Sequence, residues 1–285
     1  MSSEHVTAFR PMLMHKGFAQ NFLRAHRLLE NPSAHGMYAF TGERSEEYRP
    51  YGYRDGIAVI AVRGALYDRI SWWGGDWSTG YNVLRWQIAE AHEDADVKGI
   101  VLDIDSYGGM VAGCFDLCDF AVEAKAASGK PVAAILSETA YSAGYAIAAT
   151  ADSIAVPRTG GVGSIGTVTT HWNIAGLLEK YGEEVTILTA GDHKADGNSY
   201  GPLPDDVRER ILAELEDLRQ LFAASVVRYR AGAAVAPTLD QVLATEARTY
   251  DGPAQLGEAL KLGLFDAIAS PADAFAAFAD FVNAA

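Results

Sequence analysis

Three short apolar runs, each closed by turn-formers, constrain this chain more than any other feature. They are Gly56-Ile-Ala-Val-Ile-Ala-Val-Arg-Gly64, Gly99-Ile-Val-Leu-Asp-Ile104 and Pro131-Val-Ala-Ala-Ile-Leu136. Each is nearly continuous in hydrophobic residues and too short for a typical helix. Such runs mark strands buried on both faces, the condition of a parallel sheet. Helical stretches separate them, from Thr79 to about Asp94 and from just after Gly109 to about Ser128. A short helix from Ser142 to Thr150 and a strand over Ser153 to Val156 continue the alternation. The order βαβα predicts an α/β fold with a largely parallel sheet and flanking helices. A further strand is expected at Val185 to Thr189. Beyond it, a long helix from about Pro204 to Arg230 carries Val207, Ile211, Leu215, Leu218, Phe222, Val226 and Tyr229 on one face.

The ends read differently. Residues 1–55 have mixed polarity and many turn-formers, so they are expected to form an N-terminal extension to a main domain over 56–270. Residues 271–285 form an Ala- and Phe-rich tail of helical period. A loop from Tyr67 to Gly80 holds Trp72, Trp73 and Trp77 as apolar anchors.

The formal net charge of −14 argues against nucleic acid as the main partner, because phosphate binding needs a basic face. Cys114 and Cys118 lie four apart on a predicted helix. Two thiols are half a structural zinc site, and the better expectation is buried packing with no metal and no disulfide framework. The first 26 residues are too polar for a leader or anchor, and no run of 18 apolar residues occurs. The expectation is a soluble, cytoplasmic protein.

Three segments carry candidate chemistry. Asp105-Ser-Tyr-Gly-Gly109 ends a buried strand, where paired glycines allow a sharp turn and leave N–H groups to face a cleft, although such turns are common. Ala140-Tyr-Ser-Ala-Gly-Tyr-Ala-Ile-Ala148 places Ser142 at a strand-to-helix junction, where an ordinary helix cap is the plain alternative. Ala190-Gly-Asp-His-Lys-Ala-Asp196 holds Lys194 in a polar loop, where a lone lysine is most often a solvated charge.

In order and spacing, these segments and the Gly163-Ser-Ile-Gly166 turn resemble the S49 peptidases, the signal peptide peptidase A family. The resemblance runs from about Gly56 to Phe265. Lys194 follows Ser142 by 52 residues and Ser164 follows it by 22. The segment His193-Lys-Ala-Asp-Gly-Asn-Ser-Tyr-Gly-Pro-Leu-Pro204 has the look of the phage capsid-assembly branch.

The resemblance implies the superhelical fold shared by Clp protease and crotonase relatives, and a serine endopeptidase working by a Ser–Lys dyad without cofactor. Ser142 would be the nucleophile, Lys194 its base and Ser164 the residue orienting the lysine. The oxyanion donors would be backbone N–H groups of Gly108 or Gly109 and of Ala143. A lysine base works neutral, so its pKa must fall from about 10.4 toward roughly 7 to 8, as burial allows. Lys194 is therefore expected to be buried, with Asp192 and Asp196 turned away from it.

By the same resemblance, the substrate would be a peptide or protein, such as scaffold or capsid protein, added as a strand beside Gly108 to Val111. A homo-oligomer is expected, with the Trp-rich loop and the long helix as contacts, located in host cytoplasm or prohead. Three alternatives stay open: a cytoplasmic peptidase that degrades peptides, an inactive capsid component of the same fold, and a Ser–His–Asp site using His171. A nucleotide-binding enzyme is disfavoured, since Gly108, Gly109 and Gly113 do not give G-x-G-x-x-G.

Overall fold

The computed structural model describes residues 49–70 and 77–284, and the backbone of 12–14. Trp72, Trp73 and most of the 1–55 segment lie outside the described residues.

The buried runs form the centre of one sheet. Strands β3 (Ile57–Tyr67), β5 (Gly99–Met110), β6 (Val132–Tyr141) and β7 (Ser153–Val156) pair in parallel in the spatial order β7-β6-β5-β3. β10 (Ala267–Ile268) extends the sheet in parallel beside β7, and β2 (Gly52–Arg54) closes the opposite end antiparallel to β3. A short β4 (Ser78–Gly80) runs parallel to the end of β3. The upper part of β6, Thr139–Tyr141, changes neighbour and pairs with β8 (Gly161–Gly163), which pairs in turn with β9 (Thr249–Asp251).

Helices α1 (Tyr81–Glu93), α2 (Cys114–Ser128) and α3 (Ala143–Ala148) follow β4, β5 and β6. They cover one face over a core that includes Ile60, Leu84, Leu102, Ile104, Leu136 and Tyr145. The parallel order and the helices between strands are those the hydrophobic runs predict. On the opposite face, Ile57, Val101, Ala133 and Ile135 pack against Phe275 and Phe278 of α8 (Pro271–Ala284). A fully buried Arg230 pairs with Asp266 at 2.6 Å, and Asp266 also accepts from the Ile154 N–H, tying β7 to the C-terminal elements.

Two expectations are overturned. Asp105 to Gly109 is not a turn: β5 continues straight through it to Met110, with a register shift after Ile104. Gly109 serves close approach, because a Cβ there would fall onto the Leu66 carbonyl oxygen of β3. Val185 to Thr189 is not a strand. It runs as irregular chain with Val185, Ile187 and Leu188 exposed, and it pairs with no strand among the described residues.

The other helices are α4 (Ala175–Tyr181), α5 (Asp205–Tyr229), α6 (Leu239–Leu243) and α7 (Gly252–Lys261). In α5 the apolar face is only part-engaged. Phe222, Val226 and Tyr229 are buried, whereas Ile211, Leu215 and Leu218 are half-covered. Cys114 and Cys118 are buried free thiols.

Candidate active site

The sheet sets the site. β6 ends at Tyr141, and Ser142 stands between that strand and α3 with φ 54° and ψ −120°. For a residue bearing a Cβ this backbone costs on the order of 1–3 kcal/mol and persists only where its surroundings impose it. They do: the Ser142 N–H donates to the Gly163 carbonyl at 2.8 Å, and its carbonyl accepts from the Ala146 N–H at 2.9 Å. Ser142 occupies the cap position of α3 but makes no side-chain capping bond. Its Oγ is buried and has no hydrogen-bond partner among the described residues. Leaving such a hydroxyl unpaired costs about 1–3 kcal/mol, which a structural cap would have avoided. The capping alternative fails on this geometry.

Ser164 comes to the same place by the same means. β8 runs parallel to β6 with Tyr141 opposite Gly163, so the serine after each strand's last paired residue lies at one end of the sheet. Ser164 also has positive φ, 56°, fixed by its N–H donating to the Arg248 carbonyl at 3.0 Å.

On the other side of Ser142 lies β5. The Gly108 N–H donates to Ser106 Oγ at 3.1 Å, and Ser106 Oγ donates to the Gly64 carbonyl at 2.7 Å. The Gly108 donor is thus already engaged, which leaves Gly109 and Ala143 as the candidate oxyanion donors. Ala143 is the first residue of α3, where N–H groups lack intrahelical acceptors.

Ser106 is a residue that sequence reasoning missed. It is fully buried and locks the glycine strand to β3. Gly144 sits against it: a Cβ there would meet the Ser106 carbonyl at 3.0 Å, so the helix start needs a small residue beside β5. Two tyrosines brace the junction. Tyr141 donates to Asp251, and Tyr145 donates to the Leu264 carbonyl at 2.9 Å. Burial, then the Asp251 contact, pushes the Tyr141 phenol well above its usual range, so it remains a neutral donor.

Lys194 departs from the expectation of burial. It is exposed, in a turn-rich segment after Gly191, and Ser142 Oγ does not bond to it. The nearby carboxylates do not hold it either. Asp196 accepts from His193 Nδ1 at 3.0 Å and pairs with Arg210, while Asp192 is exposed. His171 bonds to the Asn198 carbonyl through Nε2 at 2.8 Å and makes no bond to Ser142. The structure thus brings together Ser142, Ser164, Gly108, Gly109 and Ala143, and leaves Lys194 on the surface. Among the described residues, no group of His, Cys, Asp and Glu is placed to hold a metal.

The family model described as peptidase family S49 matches residues 124–284. Capsid assembly protease C of Escherichia phage lambda is 39% identical over 239 residues, covering 83% of this chain and 52% of that protein. The head-tail preconnector protein GP5 of Enterobacteria phage P21 is 34% identical over 258 residues, covering 88% of this chain and 49% of that protein. The chain therefore spans about half the length of these relatives. An enoyl-CoA hydratase/isomerase family member of known structure overlaps 81% of this chain and 74% of its own at a TM-score of 0.43 and 17% identity, too distant to bear on function. With more than half of its length matched by the family model, the chain belongs to peptidase family S49.

Proposed function

We propose that this protein is a serine endopeptidase in which Ser142 Oγ attacks the peptide carbonyl, Lys194 takes the proton and Ser164 orients the lysine. The observation that carries this reading is the buried, unpartnered Ser142 Oγ on a strained junction between strand and helix. Gly109 and Ala143 would donate to the developing oxyanion, an interaction whose loss typically costs about 10² to 10³ in rate.

A lysine becomes a competent base when water is stripped from it. Because Lys194 is exposed, the segment that carries it must close onto the sheet end. Its apolar side chains supply a driving force: Tyr181 and Leu188 are 71% and 90% exposed. Docking of this surface on a second copy of the chain would bury them and make the protein a homo-oligomer. The substrate would be an extended segment of scaffold or capsid protein, a role supported by the similarity to lambda capsid assembly protease C. In that role the protein acts in host cytoplasm or within the prohead.

The test is a three-variant comparison on purified protein with a fluorogenic peptide. Ser142→Ala and Lys194→Ala should each abolish cleavage, by about 10⁴-fold or more, with folding intact. His171→Ala should keep most of the activity. Full loss in His171→Ala with retention in Lys194→Ala would sink the dyad. Light scattering should show an oligomer at micromolar concentration, and a monomer under those conditions would contradict the assembly.

A further inference from the structure

β5 makes its last pair with β6 at Ser106–Ala140. Beyond that point β6 ends and turns into Ser142 and α3. The edge of β5 over Gly108–Met110 is thereby vacated on the Ser142 side, while the other edge stays paired with β3 through Ala65–Gly108 and Leu66–Gly109. This open edge is where a substrate strand would add. It is not empty. β1 (Met12–Met14) lies antiparallel to it, with Met12 opposite Met110, Leu13 opposite Gly109 and Met14 opposite Gly108. Since β3 holds one edge of β5 at these positions, β1 must hold the other.

We infer that the chain's own N-terminal segment occupies the substrate strand position of its cleft, as a tethered competitor that substrate must displace. This deepens the proposed peptidase reading and rests on it for the meaning of the cleft, though not for the strand pairing itself. Two further observations fit. Gly108 and Gly109 carry no side chain on either face, so an added strand meets no cross-strand side-chain partner at these two positions. The nucleophile that a substrate must reach is fully buried in this state. A short strand binds weakly alone, but tethering gives it an effective concentration on the order of millimolar, enough to compete with peptides of similar affinity. The segment Arg10-Pro-Met-Leu-Met-His-Lys-Gly17 has no ladder-breaking residue after Pro11.

The experiment uses the full chain. Successive residues of a strand direct their N–H groups to opposite edges, so Leu13→Pro with Met14→Pro removes at least one donor facing β5 under either alternation. Hydrogen exchange of the Gly109 and Met110 amides is read together with peptidase kinetics. The double variant should exchange whichever of these two amides faces β1 at least several-fold faster. It should also lower KM for a short peptide several-fold with kcat unchanged, and a synthetic peptide of residues 8–18 should inhibit it competitively. Unchanged exchange, or a KM that stays level or rises, would overturn the inference. If neither protein cleaves any peptide, the peptidase reading fails while the exchange result still decides whether β1 occupies the edge.

Discussion

Ser142 and Lys194 belong to two regions built on opposite principles. Around Ser142 the chain is held by its neighbours: Gly163 of β8 accepts its N–H, the Tyr141 side chain is pinned by Asp251, and the Ser106 side chain bolts β5 to β3. Around Lys194 almost nothing is placed. Helix α4 has no buried residue, and the chain from 183 to 196 is exposed at every position but Ala195. A fold can hold a strained nucleophile at rest because a packed sheet absorbs the cost. It cannot hold a neutral lysine at rest unless something covers it. Under the roles proposed above, the lysine segment is the part that has yet to be covered, whereas Ser142 is already in place.

The sharpest way to break that contrast is to disturb the packed side. Gly109→Ala would drive a Cβ onto the Leu66 carbonyl, and the β3–β5 ladder would have to part beside the site. A loss of about 3 kcal/mol or more is expected, together with loss of activity, in urea unfolding and peptide cleavage. If Gly109→Ala is as stable as the parent, the packing around Ser142 is softer than its contacts imply.

Next in size is Ser106→Ala. It strips the partner from the Gly108 N–H and the Gly64 carbonyl, one of them donating and the other accepting through the same hydroxyl. A cost of about 1–3 kcal/mol should appear in unfolding. The Gly108 amide should also exchange faster, which a mere packing defect elsewhere would not produce.

The lysine side should respond in the opposite manner. Leu188→Ser and Tyr181→Ser remove exposed apolar surface, so unfolding of the separated chain should move by no more than about 0.5 kcal/mol. Assembly and cleavage should both fall, read by sedimentation and by activity at matched concentration. Unaltered assembly would mean that another surface closes the site.

These two regions were also unequally legible in the sequence. The central strands could be read because burial on both faces writes continuous apolar runs. Ser142 could be placed at a strand-to-helix junction, and Ser164 through the family resemblance, by the Gly163-Ser-Ile-Gly166 turn 22 residues on. Ser106 could not, since a serine between Asp105 and Tyr107 looks the same whether it bolts two strands or faces water. Gly108 and Gly109 announced a special backbone but not which kind; they serve an unbroken strand rather than a turn. Val185 to Thr189 has the composition of a strand, yet composition cannot supply a neighbouring edge. Lys194 was singled out only through the family resemblance, by its spacing from Ser142 and the segment His193-Lys-Ala-Asp196. The segment around it, residues 183–196, buries no residue within one chain, so Lys194 lies exposed where the resemblance led to an expectation of burial.

The smallest expected effect separates the regions by pH. His92, near the end of α1, has its pKa pushed down to about 4 by burial and then by the charges of Lys130 and Lys125. The unfolded chain takes up this proton near pH 6.5, the folded chain only near 4. Stability from His92 is therefore complete above about pH 6.5, erodes as pH falls toward 4, and is lost below it. Asp94 acts in a lower window. The Arg49 hydrogen bond holds its carboxyl down at about 2, so its contribution persists until pH drops below the ordinary carboxylate range. Urea midpoints should decline between pH 6.5 and 4 in the parent and decline less in His92→Gln. His92 lies in the packed body, so His193→Gln on the lysine segment should leave the decline unchanged. A slope that follows His193 instead would place part of the folding stability in the segment described here as undocked.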